Sequence, residues 1–286
     1  MSASTSEAAP VVSDGRMIGL IAGSGELPFA VAAGVRAGGF GLVVFALKGL
    51  AEDGLAALAD QYQPVEVGKL GKLITAIKKS GVQQVVLAGK VSKTLLYKMN
   101  IVPDVRAVKF LFSLKDRKDD TIMEAFLGEL ETEGVSVVAT TAFTQSLLAP
   151  SGCFTKRTLS KGELKDVRFG AGLAREIGRL DIGQTVVVKN RAVMAVEAIE
   201  GTDEAIKRGG ALANKKGAVV VKTAKPNQDL RFDVPVVGIE TLKSMKAAGA
   251  SVLAVEAGRV IIVDKEDVIK MADSLGISVM GFDDFK

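Results

Sequence analysis

Apolar positions in this chain fall into short continuous runs, separated by stretches in which they recur at helical spacing. The first run, 17–22, ends at Gly23-Ser24-Gly25, and apolar positions of helical period follow over 27–35. Runs at 40–47 and 62–67 read as strands, 69–79 as a helix, and the compact run 84–88 stops at Gly89-Lys90. Next come a predicted helix at 121–130 and a strand at 135–139. Short apolar runs bounded by turn residues are the mark of strands buried on both faces, and their alternation with helices predicts a parallel sheet with helices on each side. The fold class is therefore α/β, with a Rossmann-like N-terminal domain over 17–146.

The pattern changes at 144–161, where Pro150, Ser151-Gly152 and scattered polar residues read as a connection; the linker is set at 147–162 and a C-terminal domain at 163–286. That domain opens with a helix at 164–180 and a hairpin of strands 185–188 and 192–199 turning at Asn190-Arg191. A helix at 203–214, a strand at 218–221 and a helix at 241–248 come next. Strands 251–255 and 260–263 flank Ala257-Gly258, and a helix at 265–275 leads to a last strand at 278–280. Hairpins mixed with helices predict a mixed α/β domain without fixing its topology. Residues 1–16 are rich in Ser, Ala and Glu, lack the basic start and apolar core of a signal peptide, and read as a disordered leader.

Composition narrows the chemistry. The chain has no His, so a His general base and His-ligated zinc are both excluded, and catalysis must run on carboxylates, Lys, Arg, hydroxyls or a hard cation such as Mg²⁺ or Mn²⁺. Cys153 is the only cysteine; with no base partner it reads as an inert residue in a turn, and an internal disulfide is ruled out, as suits a reducing cytoplasm. With no Trp, two Tyr and a net charge of +4, a nucleic-acid binder is disfavoured. No apolar run approaches the ~20 residues that span a bilayer, so any membrane contact comes from the side.

Two regions carry candidate chemistry. Gly23, Ser24 and Gly25 lie where a Rossmann-like unit holds phosphate, with Gly89 and Lys90 at the end of a later strand expected to face the same crevice. The same loop also reads as a tight turn with no ligand. Pro28 at the third glycine position and Lys48 at the end of the second strand argue against a complete dinucleotide site. The second region runs through Glu197, Glu200, Gly201, Thr202 and Asp203 to Lys222, Lys225, Gln228, Asp229, Arg231 and Asp233. Helix capping accounts for Thr202 as N-cap and Asp203 at the positive end of the dipole, and equally for Asp119-Asp120 before their helix. It does not account for Glu197, set in an otherwise apolar strand, where a carboxylate needs a partner. Asp229 and Asp233, four residues apart beside Lys222, Lys225 and Arg231, form a set suited to a pyrophosphate. Two other classes stay open: a nucleotide-binding protein without turnover, and a nicotinamide-dependent oxidoreductase weakened by Pro28 and Lys48.

From about Met17 to the C-terminus the chain resembles the LpxI-type UDP-2,3-diacylglucosamine diphosphatases of bacterial lipid A synthesis. The likeness is carried by residues 21–28, 87–91, Asp119-Asp120, Asp181-Ile182-Gly183-Gln184, 195–203 and 225–229, with Arg231, Asp233 and Pro235. It implies two α/β domains that hydrolyse the substrate's pyrophosphate to 2,3-diacylglucosamine 1-phosphate (lipid X) and UMP. It also implies a divalent cation, typically Mg²⁺, and water placed on the sugar-side phosphorus. On this basis Asp229 is the leading catalytic carboxylate, with Asp233 and Glu197 in support, and Asp229 and Asp203 are the expected metal ligands. Substrate contacts are expected from Gly23, Ser24, Gly25, Gly89, Lys90, Gln184, Gly201, Thr202, Lys222, Lys225, Gln228 and Arg231. The expected partners are the UDP-linked diacylated sugar and, transiently, the inner-membrane surface from the cytoplasmic side, with a homodimer left open. The segment 95–114, apolar and basic, reads either as one wall for the acyl chains or as ordinary packing.

Overall fold

The computed structural model describes residues 17–91, 101–115, 119–226 and 228–285; the side chains of Asp119 and Asp120 also fall outside the description. The leader expected at 1–16, the first part of the 95–114 segment and Asn227 lie outside the described residues. The chain forms two compact units, one of residues up to Thr144 with Leu230–Phe232, the other of Gln145–Asp229 and the chain from Asp233 onward.

In the N-terminal unit, β1 (Met17–Ala22), β2 (Gly41–Leu47), β3 (Gln61–Val65), β4 (Gln84–Ala88) and β5 (Ser136–Val138) form a parallel sheet of order β3-β2-β1-β4-β5. The Rossmann-like reading is thus correct. Both faces are buried because successive strand residues point to opposite sides. Ile18, Leu20 and Ala22 join the core under the Leu27–Ala37 helix, whereas Ile21 with Val43 and Phe45 packs under the Leu70–Ser80 helix. A continuous apolar run is the expected signature of such a strand.

The C-terminal unit is mixed. Strands β6 (Gly152–Cys153), β7 (Thr185–Lys189), β8 (Ala192–Val196), β9 (Ala218–Lys222), β11 (Ala250–Glu256) and β13 (Ser278–Phe282) lie in the order β6-β13-β11-β9-β7-β8. Here β9, β11 and β13 are parallel, while β7, β8 and β6 pair antiparallel with their neighbours. Within the stretch expected as linker, Gly152–Cys153 adds an edge strand against β13, so Cys153 lies on a strand rather than in a turn. The runs at 251–255 and 260–263 do not pair with each other. The second shrinks to β12 (Ile261–Ile262), which pairs with β10 (Val236–Val237) in a separate two-stranded parallel sheet. The β7–β8 turn places Asn190 and Arg191 at φ 51° and 58°, and the carboxylate of buried Asp166 accepts their backbone amides at 2.9 and 2.7 Å. Two consecutive left-handed residues suit the twist of a two-residue hairpin.

Candidate active site

The parallel strands β9 and β11 end in buried charged residues, Lys222 and Glu256. A third, Glu197, follows directly on β8, and its amide donates to Thr185 O at 2.9 Å, one bond beyond the last paired residue. The Glu197 carboxylate accepts from the Thr202 hydroxyl at 2.6 Å and, more weakly, from the Gln184 amide at 3.4 Å. Thr202 Oγ1 in turn accepts from the Lys222 ammonium at 2.9 Å. A single hydroxyl therefore links a buried cation to a buried anion, which offsets part of the cost of desolvating both.

This arrangement corrects the capping expectation for Thr202. Gly201, at φ 86°, holds the N-cap position of the Thr202–Leu212 helix, and no side chain caps it. Thr202 is the first helical residue, and its hydroxyl donates to Glu197 and accepts from Lys222 instead of capping the helix. Asp203 and Glu204 do lie in the first turn, where the helix dipole favours them. The Gly201 amide donates to Ala198 O at 3.1 Å. On the other side of Glu197, a Cβ on Gly183 would sit 2.1 Å from Glu197 O, so only glycine lets the turn after Asp181 pack on the end of β8.

The loop leaving β9 is held at successive backbone atoms. Thr223 N donates to Gln184 O at 3.0 Å, and Ala224 N donates to Glu256 Oε2 at 2.9 Å. Arg259 donates to Lys225 O at 3.1 Å and lies 3.8 Å from Glu256, whose carboxylate is also 3.3 Å from Arg175. Lys225 N donates to Gln228 Oε1 at 2.8 Å, and the Lys225 ammonium pairs with Asp181 at 2.6 Å. Asp229 and Asp233 bracket a turn closed by Asp233 N on Asp229 O at 2.9 Å. Arg231 belongs to the N-terminal unit with Leu230–Phe232, and its guanidinium lies 3.5 Å from Glu131. Glu256, Arg259 and Arg175 were missed from the sequence. The signal was available for Glu256, a charge closing an apolar strand just as Glu197 does.

Among the described residues, the buried side-chain polar atoms without a hydrogen-bond partner are Gln184 Oε1, Thr185 Oγ1, Asp203 Oδ1, Thr223 Oγ1 and Gln228 Nε2. All five belong to this one neighbourhood: Thr185 faces Lys222 in the β7–β9 register, Thr223 bonds Gln184, Asp203 follows Thr202, and Gln228 bonds Lys225. Native interiors leave few such atoms, so their concentration here marks a region suited to a polar ligand. Glu200 stands at its edge, its carboxyl held below the usual range by its own backbone amide and by Arg208.

In the N-terminal unit Gly23, Ser24, Gly25, Gly89 and Lys90 do come together at the carboxyl ends of β1 and β4. Ser24 and Lys90 form an isolated antiparallel bridge with amide bonds of 3.0 and 2.9 Å, and the Ser24 hydroxyl donates to Lys90 O at 3.0 Å. Gly23 N donates to Ala88 O at 2.8 Å. The amides of Gly23, Ser24 and Lys90 are thus engaged within the protein. A Cβ on Gly89 would lie 2.7 Å from the Gly23 carbonyl carbon, so these glycines serve the close approach of the two loops.

Fold and site together define a two-unit α/β protein whose polar, histidine-free centre lies at the carboxyl ends of parallel strands in the C-terminal unit. Residues 17–147 match the LpxI N-terminal domain and residues 150–280 the LpxI C-terminal domain. The chain is 36% identical over 280 residues to the UDP-2,3-diacylglucosamine pyrophosphatase LpxI of Caulobacter vibrioides (strain ATCC 19089 / CIP 103742 / CB 15), covering 94% of this chain and 98% of that one. The chain belongs to the LpxI family. Two of the solved structures that it matches are remote likenesses. The biotin carboxylase domain dimer of Hydrogenobacter thermophilus 2-oxoglutarate carboxylase has a TM-score of 0.26 at 13% identity, covering 69% of this chain and 41% of that one. Glycinamide-RNase-transformylase T of Mycobacterium tuberculosis has a TM-score of 0.23 at 16% identity, covering 64% and 44%. The chain thus spans less than half of each, and scores this low give neither any weight.

Proposed function

We propose that this chain is a UDP-2,3-diacylglucosamine diphosphatase of lipid A synthesis, hydrolysing the pyrophosphate of its substrate to lipid X and UMP. The main support is its end-to-end likeness to the Caulobacter enzyme, at 36% identity over 94% of the chain. The site adds chemical sense. Lys222 and Lys225 supply positive charge for phosphate oxygens, and Gln184 and Gln228 each carry a buried polar atom without a partner. Asp229 orients the attacking water towards the sugar-side phosphorus. Glu197, through Thr202, fixes the Lys222 ammonium.

A divalent cation, Mg²⁺ or Mn²⁺, fits the donor set in a limited way. Asp203 has a buried carboxylate oxygen without a partner, an atom well suited to a hard cation. Among the described residues no group of three metal-ligating side chains gathers, so Asp203 and Asp229 would hold the ion together with waters and substrate oxygens. When bound, such an ion neutralises negative charge on the phosphates.

The test incubates purified protein with UDP-2,3-diacylglucosamine and Mg²⁺, with an EDTA arm. Appearance of lipid X and UMP is expected, with loss of turnover in EDTA and its return on adding Mg²⁺ or Mn²⁺. Absence of both products overturns the activity; full turnover in EDTA removes the metal. Hydrolysis in ¹⁸O-water is expected to label lipid X, and label in UMP would reverse the assignment of the attacked phosphorus.

A further inference from the structure

The Val105–Ser113 helix of the N-terminal unit is built the wrong way round for a surface helix. Its inward side is fixed: Ala107 is buried, Phe110 packs on the core, and Arg106 holds Glu129 and Glu133 at 2.7 Å each. Asp104 caps it through Ala107 N at 2.8 Å and also accepts Gly71 N at 2.8 Å, which sets its rotation. At helical spacing Val105, Val108 and Phe112 come to the opposite side. Phe112 is 87% exposed, Val105 73% and Val102, just before the helix, 67%, with Leu111 exposed beside them. An outward face normally carries polar side chains, and a contiguous apolar patch on a surface marks an interaction site.

We propose that this face docks on the surface of a membrane containing anionic lipid. Charge selects the occupant. The helix contains no acidic residue, Lys109 is exposed on the apolar face by helical spacing, Lys115 is exposed two residues beyond the helix, and the whole chain carries a net +4. An apolar stripe flanked by lysines is the composition of helices that lie in the interface of anionic bilayers. A second copy of the chain is a poorer occupant, because a two-fold contact would bring the same lysines against each other. Among the described residues no helix is long and apolar enough to cross a membrane, so the contact is peripheral. The inference deepens the proposed function: a diacylated substrate would be met at the bilayer surface.

Flotation of the full chain with vesicles tests it, using phosphatidylcholine alone and phosphatidylcholine mixed with phosphatidylglycerol. Binding to the mixed vesicles, weakened by salt, is expected. Phe112→Asp and Val105→Ser should each lower it about ten-fold or more with thermal unfolding unchanged, since apolar burial drives insertion. Lys109→Glu should weaken binding to the mixed vesicles alone. Wild-type protein that floats with neither vesicle, or a folded Phe112→Asp variant that floats like wild type, overturns the proposal. If Phe112→Asp instead turns a dimer into a monomer and leaves flotation intact, the face belongs to self-association. Hydrolysis of detergent-dispersed substrate by the wild type separates the two readings: an inactive wild type that still floats overturns the activity alone, and an active one that floats with neither vesicle overturns docking alone.

Discussion

A carboxylate buried at the end of a strand must find a partner, and the candidate site contains two. Glu197 reaches Lys222 through Thr202, and Glu256 grips the backbone of Ala224 while pairing with Arg175 and Arg259. They imply different losses. Asp229, the proposed water-orienting group, should be indispensable: Asp229→Ala is expected to lower kcat about 10²-fold or more, with KM changed only a few-fold. A folded Asp229→Ala protein of near-normal kcat would take that role away. Glu256 acts through the loop that carries Lys225 and Gln228. Glu256→Ala should lower kcat about ten-fold or more by displacing that loop, and Glu256→Gln, which can still accept the Ala224 amide, should recover much of it. Equal activity in the two variants would deny Glu256 any positioning role. Glu197 was legible in the sequence because a charge inside an apolar run stands out, and Glu256 was equally legible by that rule. The placement of Arg231 was not. Spacing sets it beside Lys225 in the chain, but the two residues belong to different units, and linear distance carries no sign of that.

The β7–β8 hairpin positions one flank of the site: Gln184 and Thr185 start one strand, and Glu197 follows the other. Its turn is held from outside, by Asp166 on the Lys161–Arg179 helix accepting the amides of Asn190 and Arg191. Two charge-assisted bonds to one buried carboxylate make Asp166→Ala destabilising by about 2 kcal/mol, with Asp166→Asn about half as costly. Urea unfolding checks this, and wild-type stability in the Ala variant would show that the hairpin closes unaided. Most elements were legible as apolar runs and helical periods, including this hairpin with its turn at Asn190-Arg191. Strand order was not: the interposition of β9 between the hairpin and β11 rests on side-chain packing between segments distant in sequence. The two-residue strands β6, β10 and β12 are too short to show a period at all.

At the scale of the whole molecule, acid stability follows from carboxylates in both units whose folded state holds them ionised. In the N-terminal unit, Asp60 is held below its ordinary value by the Arg36 guanidinium and then the Leu42 amide. Glu133 is held down by Lys78 and then Arg106. In the C-terminal unit burial works to raise Glu163, but the Ser251 hydroxyl, the Ser160 amide and Arg157 outweigh it and leave a net lowering. A carboxyl whose folded-state value is depressed contributes stability above the unfolded value, near pH 4, and loses it as pH falls through the folded value. The urea midpoint should therefore be nearly level from pH 7 to about pH 5 and drop below about pH 4. No histidine adds a transition near neutrality, since the chain has none. Replacing Asp60 by Asn and Glu133 by Gln together should lower the plateau at pH 7 and flatten the acid limb, so the two curves converge near pH 3. Curves that stay parallel down to that pH would mean that these ion pairs, exposed as they are, do not govern the acid response.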